Sequence, residues 1–497
     1  MRTCFASWPV PSVDWYDVAR VRIDELPDVA LLEIFEFYVH EAWEGAWYKL
    51  AHVCQKWRNL VFESPARLDL RLYCKAGTPV MKTLDAWPSL PIVLNIDGFM
   101  HTNIDMDDIV AALKHNDRIC QSSFSSISSL QLEKVLAEMR RPFPALTDLT
   151  LTPEDETMPV NVDSFLGGPA LAPPHLQTLK LCRIPFPGLP KLLLSTTELV
   201  SLQLSNIPHS GYISPEELAN GLSALTLLEN LGIGFLSPRS RPDRKSGSLL
   251  PTTRALLPVL TELQFRGVSE YLEDLVARID APLLDKLEIT FFHQLQFDTP
   301  HLSRFISRTP KFKAYAEARV VFFSLIVSIA TFDGRLCFDI LCRHSDWQLS
   351  SLAQICGLSF PRALISTVER LYIEDFRRLR GPDDIEEAFR RVHGFDDIES
   401  SQWLELLHPF TAVKHLYISP KSMPSVAPAL QELVAERVPV AEVLPALQTV
   451  FLEKLPSRPV QKAIEKFITA RQLARHPIGV SRWEIERFET PDSEAFE

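Results

Sequence analysis

"LQTLKL" at residues 176–181 is followed 23 positions on by "LVSLQL" at 199–204. Each fits the template L-x-x-L-x-L, as do "LTDLTL" (146–151), "LENLGI" (228–233), "LTELQF" (260–265) and "LDKLEI" (284–289). "VERLYI" (368–373), "VKHLYI" (413–418) and "LQTVFL" (447–452) are looser copies, and "ISSLQL" (127–132) reads as the first. The last three positions of each copy run apolar, variable, apolar, the period of a strand with one buried face. A strand this short cannot bury its leucines alone. Copies must stack side by side, each with a return segment, often helical, laid over the leucines.

The closest spacings fall within the roughly 20–29 residues of leucine-rich repeats, and others are longer. Prolines, 38 in all, punctuate the returns, as in "IPFPGLP" (184–190) and "LSPRSRPD" (236–243). "ARVVFF" (318–323) and "LCFDIL" (336–341) read as strands of one or two degraded repeats within 289–368. The expected fold class is α/β, an irregular leucine-rich-repeat solenoid over 126–455 behind an N-terminal helical module. In each copy the residue between the last two apolar positions points to the concave surface. That row reads Gln131, Thr150, Lys180, Gln203, Gly232, Gln264 and Glu288, then changes character to Tyr372, Tyr417 and Phe451. Arg370, Glu374, His415 and Glu453 flank it. Aromatic and arginine side chains are enriched where proteins bind proteins. Arg370, Tyr372, His415, Tyr417 and Phe451 are therefore candidate contacts for a protein target. The alternative is that the C-terminal stretch 456–497, with Phe467 and Trp483, folds over the rings as a cap.

Composition narrows the function. The 497 residues are 46% hydrophobic and 23% charged, with a net charge of −12 and a pI near 5.6. A field of that sign repels nucleic acid and anionic membrane. The eight cysteines include no CxxC pair and sit mostly in apolar contexts, as expected of free thiols in a reducing compartment, cytosolic or nuclear. The apolar run Val320–Ala330 is shorter than the ~20 residues that span a bilayer.

A second kind of pattern occupies the N-terminal part. After a tail, 1–21, comes "IDELPDVALLEIFEFYV" (23–39), where Leu31, Ile34, Phe35 and Tyr38 follow the spacing of one buried helix face. Val29, Leu32 and Val39 are apolar as well and lie off that face, an excess for a helix with one neighbour. "WYKLAHVCQKWRNLVF" (47–62) reads as a second helix with a stripe of Leu50, Val53, Cys54, Trp57 and Leu60, ended by Ser64-Pro65. Leu68, Leu70 and Leu72 then alternate as in a strand.

Leu26-Pro27, the helix Leu31–Phe35, Cys54, Trp57-Arg58, Leu60 and Pro65 together resemble the fungal F-box proteins that carry irregular leucine-rich repeats. The resemblance covers about residues 22–72. It implies that this F-box docks on a Skp-family adaptor, and through it on a cullin, with Leu26, Pro27, Leu31, Ile34, Phe35, Trp57, Leu60 and Pro65 at the contact. It also implies repeats that hold the target of a ubiquitin ligase; residues 73–125 between the two regions read as a connecting or capping segment. The chain departs from the family in its aromatic link "HEAWEGAWYK" (40–49). Its repeats also lack the Asn or Cys that usually follows L-x-L; in "LQTLKLCRI" Ile184 takes that place. Two plainer readings stand beside this one: an N-terminal region that merely caps the repeats, and a repeat scaffold that binds a partner without ubiquitination.

Catalytic spacing is absent. "HEAWE" (40–44) lacks the second histidine of a zinc helix, and "NIDMDDIVAALK" (103–114) puts Asp108 and Lys114 where a calcium loop needs Gly and Glu. No G-K-[ST] or G-x-S-x-G occurs. Arg239, Arg241, Arg244 and Lys245 form one basic cluster without interleaved aromatics, which reads as a solvated loop. The expectation is a non-enzyme with no cofactor and no metal.

Overall fold

The structure is a computed structural model. It describes residues 23, 26–41, 46–75, 80–87, 89–98, 106–154, 173–240, 254–294, 296–342, 344, 346–359, 362–376, 396–435, 443–453 and 458–482. The tail 1–21, Trp43, Trp483, Arg241, Arg244 and Lys245 lie outside them.

Three short helices come first: α1 (Asp28–Glu41), α2 (Trp47–Ala51) and α3 (Gln55–Glu63). The strands are β1 (Leu72–Lys75), β2 (Ile92–Asp97), β3 (Ile119–Ile127), β4 (Asp148–Pro153), β5 (Thr178–Cys182), β6 (Ser201–Ile207) and β7 (Asn230–Phe235). After them come β8 (Ala255–Leu256), β9 (Glu262–Gly267), β10 (Ile279–Asp280), β11 (Lys286–Phe292), β12 (Glu317–Phe322), β13 (Ile326–Thr331) and β14 (Leu336–Leu341). The last are β15 (Arg370–Asp375), β16 (His415–Ile418), β17 (Thr449–Leu452) and β18 (Gly479–Arg482). The return helices are α4 (Val80–Ala86), α5 (Met106–Leu113), α6 (Ser129–Glu138), α7 (Leu189–Leu193), α8 (Pro215–Leu222) and α9 (Ser269–Val276). They continue with α10 (Pro300–Arg308), α11 (Asp346–Gln354), α12 (Arg362–Ile365), α13 (Asp396–Leu407), α14 (Met423–Ala435) and α15 (Arg458–Leu473).

Sixteen strands form one sheet in the order β1-β2-β3-β4-β5-β6-β7-β9-β11-β14-β13-β12-β15-β16-β17-β18. Every pairing is parallel except those of β13, which runs against both β12 and β14. The template's fourth residues stack in register: Leu149, Leu179, Leu202, Leu231, Leu263 and Leu287 form one buried row, which Leu336 of β14 continues. The template is thus a packing rule, one leucine per strand against the leucine of the next. A backbone ladder runs just ahead of the strands. The amides of Gln177, Val200, Glu229, Thr261 and Asp285 each donate to the corresponding carbonyl of the preceding unit at 2.8–2.9 Å. Return helices form the second layer, each against the next, as with α7, α8, α9 and α10.

Several expectations are corrected. "ISSLQL" is not a strand. Ser128 caps α6 and forms a reciprocal box with Gln131, and the pairing strand is β3, one element earlier. A Ser-x-x-Gln box ahead of Leu132, Val135 and Leu136 favours helix over strand, so Ser123 takes the outward place assigned to Gln131. The sheet begins at Leu72 rather than near 126. Leu68 and Leu70 are buried in a turn, with Asp69 at φ 45°, and only Leu72 belongs to a strand. The helix expected over 47–62 breaks between α2 and α3. Cys54 is the cap of α3, its sulfur accepting from the Trp57 amide at 3.5 Å, and it is exposed rather than core. Within 289–368, "ARVVFF" and "LCFDIL" do supply β12 and β14, but a reversed strand joins them into an antiparallel meander. Its turn is Asp333-Gly334, with Gly334 at φ +70°, a conformation that costs glycine nothing.

Side chains also tie one return to the next. The carboxylate of Glu273 on α9 is buried and accepts the first backbone N–H groups of α10, from His301 and from Leu302 (2.9 Å). Burial pushes its pKa up, and the two amides act in the opposite direction. Replacing Glu273 by Ala leaves two shielded donors without an acceptor. The expected loss is about 1–3 kcal/mol, read as a lower denaturant midpoint with unchanged circular dichroism.

Candidate functional site

The outward row runs unbroken across the sheet. Asn95, Ser123, Thr150, Lys180, Gln203, Gly232, Gln264 and Glu288 are register partners on successive strands. Cys337, Ala330 and Arg319 continue it through the meander, followed by Tyr372, Tyr417, Phe451 and Ser481. The first half carries small, amide and charged side chains. Gln203 lies flat over Gly232, where a Cβ atom would stand 1.8 Å from its Oε1. In this half Lys286 bridges Glu262 (3.0 Å) and Glu288 (2.7 Å).

The second half holds the aromatic candidates, and the structure brings all five together. Tyr372 stacks on Tyr417 with centroids 4.3 Å apart and planes at 12°, and Tyr417 stacks on Phe451 at 4.4 Å and 9°. Parallel strands roughly 4.7–4.9 Å apart leave in-register rings little other arrangement. Phe332 leans on the far side of Tyr372 at 5.8 Å, and His415 meets Phe451 edge-on at 5.8 Å. Arg370 and His415 are register partners in the adjoining row. Arg370 pairs with Glu317, which also accepts from the Tyr372 hydroxyl at 3.3 Å. Burial, followed by the charge of Glu317, pushes the Tyr372 phenol up to about 12. Glu374 is buried and accepts from Arg319 Nε at 2.8 Å; desolvation raises its pKa against that guanidinium.

The geometry changes the meaning of these rings. Their faces are spent on one another, so the ladder presents edges and hydroxyls outward, and each ring is half-buried through its neighbours. The proposed cap is not what 458–482 forms. α15 packs against α14 with Phe467 buried in the core, and β18 extends the sheet beside β17.

The helical region places its candidates unequally. Leu31, Phe35 and Leu60 are buried in the chain's own core, which corrects their assignment to a contact with a second chain. Phe35 packs on the Trp57 ring at 4.7 Å, and Leu26 and Trp57 are half-buried against the same core. Lys56 fastens α3 to the start of α1 through Asp28 (3.1 Å) and the Leu26 carbonyl (3.1 Å). Pro27 and Pro65 are exposed. Ile34, expected on the buried stripe, is 45% exposed, and beside it Phe37 is 67% and Val29 66% exposed. Sequence reasoning passed over Phe37. The signal was its place three residues after Ile34, on one face of the helix.

Chemistry is sparse elsewhere. Burial pushes the Cys74 and Cys342 thiols up to about 11, which leaves them protonated and poor nucleophiles. Among the described residues no group of three or more His, Cys, Asp or Glu could hold a metal ion, and no helix is long and apolar enough to cross a membrane.

No family model matches the chain, and no curated protein matches it. Among solved structures, the leucine-rich repeat-containing protein LegL7 from Legionella pneumophila aligns with 80% of this chain and 97% of its own length. The sequence identity is 12% and the TM-score 0.26.

Tyr417 stands in the middle of the ladder and Phe451 at its end. Tyr417→Ala should lose its stacking on Tyr372 and Phe451, and Phe451→Ala its stacking on Tyr417 and its edge contact with His415, about 1–3 kcal/mol for each variant at roughly 0.5–1.5 kcal/mol per contact. Chemical denaturation of the two single variants and the double variant tests this; strictly additive losses would refute the ladder, because the shared stacking contact must make the two changes couple.

Proposed function

We propose that the chain is the non-catalytic, target-recognising subunit of a Skp–cullin–F-box ubiquitin ligase, working in the cytosol or nucleus. The single observation that carries the proposal is the apolar surface left on α1, where Val29, Ile34 and Phe37 face outward. Ile34 and Phe37, three residues apart, are neighbours on one side of the helix, and Val29 adds apolar surface near its start, the kind of exposure that marks a protein contact. The sequence resemblance over 22–72 names the partner, a Skp-family adaptor, and through it a cullin. Leu31, Phe35 and Leu60 hold the helices together, so the contact moves from them to Val29, Ile34 and Phe37, with Pro27 and Pro65 at hand.

The repeats then offer the target the outward row, with Arg370, Tyr372, His415, Tyr417 and Phe451 in its C-terminal half. Ubiquitin transfer is the work of other subunits; this chain supplies proximity and orientation. Target and ubiquitin-charged enzyme held on one rigid frame meet at a raised effective concentration.

Ile34→Asp combined with Phe37→Asp is the decisive variant. Both side chains are on the surface, so the melting temperature should hold, while capture of a purified Skp-family adaptor should weaken by ~2 kcal/mol or more. Undiminished capture excludes this surface. No capture by the unaltered chain leaves the repeat scaffold without ubiquitination as the function.

A further inference from the structure

The last return helix, α15, is charged in the sense that least suits a helix. α5, α8 and α9 open with Asp107 and Asp108, with Glu216 and Glu217, and with Glu270, carboxylates that complement the positive end of a helix dipole. α15 has no acidic residue in its first turn and begins with Arg458. Lys462 and Lys466 follow at intervals of four, so like charges stand one above another along the helix. Both arrangements destabilise it.

These cations lie away from the core. Val460, Ala463, Ile464, Phe467 and Arg471 form the buried side, and at about 100° per residue Arg458, Lys462, Lys466 and Leu473 fall opposite them. All four are exposed, Leu473 by 82%. Among the described residues Arg458, Lys462 and Lys466 have no ion-pair partner. Glu465, the one carboxylate on the helix, accepts from Gln461 Nε2 at 2.9 Å. Residues 458–482 hold six Lys and Arg against one Glu, in a protein with 51 Lys and Arg against 63 Asp and Glu. Arg475 and Arg482, also exposed, extend the positive surface past the helix. A stripe that lowers the stability of its own helix, with nothing offsetting it among the described residues, marks a contact made with another molecule.

We propose that Arg458, Lys462, Lys466 and Leu473 dock a short acidic segment of a partner protein, with carboxylates on the three cations and an apolar side chain on Leu473. Successive cations are about 6 Å apart along the axis. Alternate residues of an extended chain recur at about 6.6 Å, so Asp or Glu at every second position meets them in turn. Other polyanions fit less well. Nucleic acid would bring unbroken charge against a chain of net charge −12, and the stripe has no aromatic side chain for a base to stack on. A bilayer surface calls for more than one exposed leucine. The stripe is on a return helix, apart from α1 and from the outward row, so it depends on neither the adaptor contact nor the target face.

The test uses the full chain and the labelled, capped peptide acetyl-Glu-Ser-Glu-Ser-Glu-Ser-Ser-Leu-amide, followed by fluorescence anisotropy at several ionic strengths. Saturable binding is expected, weaker as salt rises. It should fall at least tenfold in Lys462→Glu with Lys466→Glu, at an unchanged melting temperature. Lys462→Gln with Lys466→Gln should weaken it less, and keeps the test valid should the charge reversal fold poorly. Leu473→Ser should weaken it severalfold and leave the salt dependence as it was, which a diffuse positive field would not do. Failure to saturate, equal affinity in the reversed variant, or tighter binding of hexauridylate or of phosphatidylserine vesicles would each overturn the assignment. So would self-association of the chain that the same reversal abolishes. Binding that appears only in the chain carrying Glu484→Gln, Glu486→Gln and Glu489→Gln would also overturn it, by giving the stripe to the chain's own residues 483–497.

Discussion

One constraint governs the molecule: neighbouring strands must keep register, residue for residue, because a slip of one would turn every leucine to water. The buried row from Leu149 to Leu287 and the outward row from Thr150 to Glu288 are two consequences of the same alignment. The backbone ladder through Gln177, Val200, Glu229, Thr261 and Asp285 fixes that alignment before the first side chain meets its partner. The aromatic ladder follows too. Tyr372, Tyr417 and Phe451 stack because register places them one strand apart, and a continuous aromatic face is assembled from residues that are 45 and 34 positions apart in sequence.

The helical region is built into this frame rather than hung from it. Trp47 donates from Nε1 to the Arg71 carbonyl at 3.0 Å, immediately before the first strand. Its ring also packs on Phe62 and Trp87, at 5.9 and 5.2 Å, so α2, α3 and the end of α4 share one aromatic cluster. Arg67 adds ion pairs to Glu33 and Glu36 on α1. The exposed apolar side chains of α1 are therefore held at a fixed attitude by core packing behind them.

Where one signal stood alone, the sequence was easy to read. Repeated leucines at fixed offsets named the strands and the outward row, and the row held through six successive copies from Thr150 to Glu288. Where two signals overlapped, the local one prevailed. At "ISSLQL" the Ser128–Gln131 box satisfied the ends of a helix and overrode a template that the letters fitted equally well. At 333–334 the Asp-Gly pair is a hairpin signal, and it turns the chain back on itself where one more repeat was expected. Burial on α1 was harder, because Ile34 and Phe35 are both apolar and only the arrangement of α2 and α3 decides which one turns inward.

The reversed strand β13 also bears on how the chain reaches this structure. In a strictly sequential array each unit docks on the one made just before it, so order can spread from any starting point. Here β11 waits for β14, and β12, made earlier, waits for β15. Structure growing from the N-terminal side cannot pass beyond β11 until a three-stranded meander has closed, and that meander provides the edge on which β15 can land. Such delayed pairing raises contact order and slows assembly. It also divides synthesis into two episodes, in which the first eleven strands can settle while the ring-bearing units are still without their template.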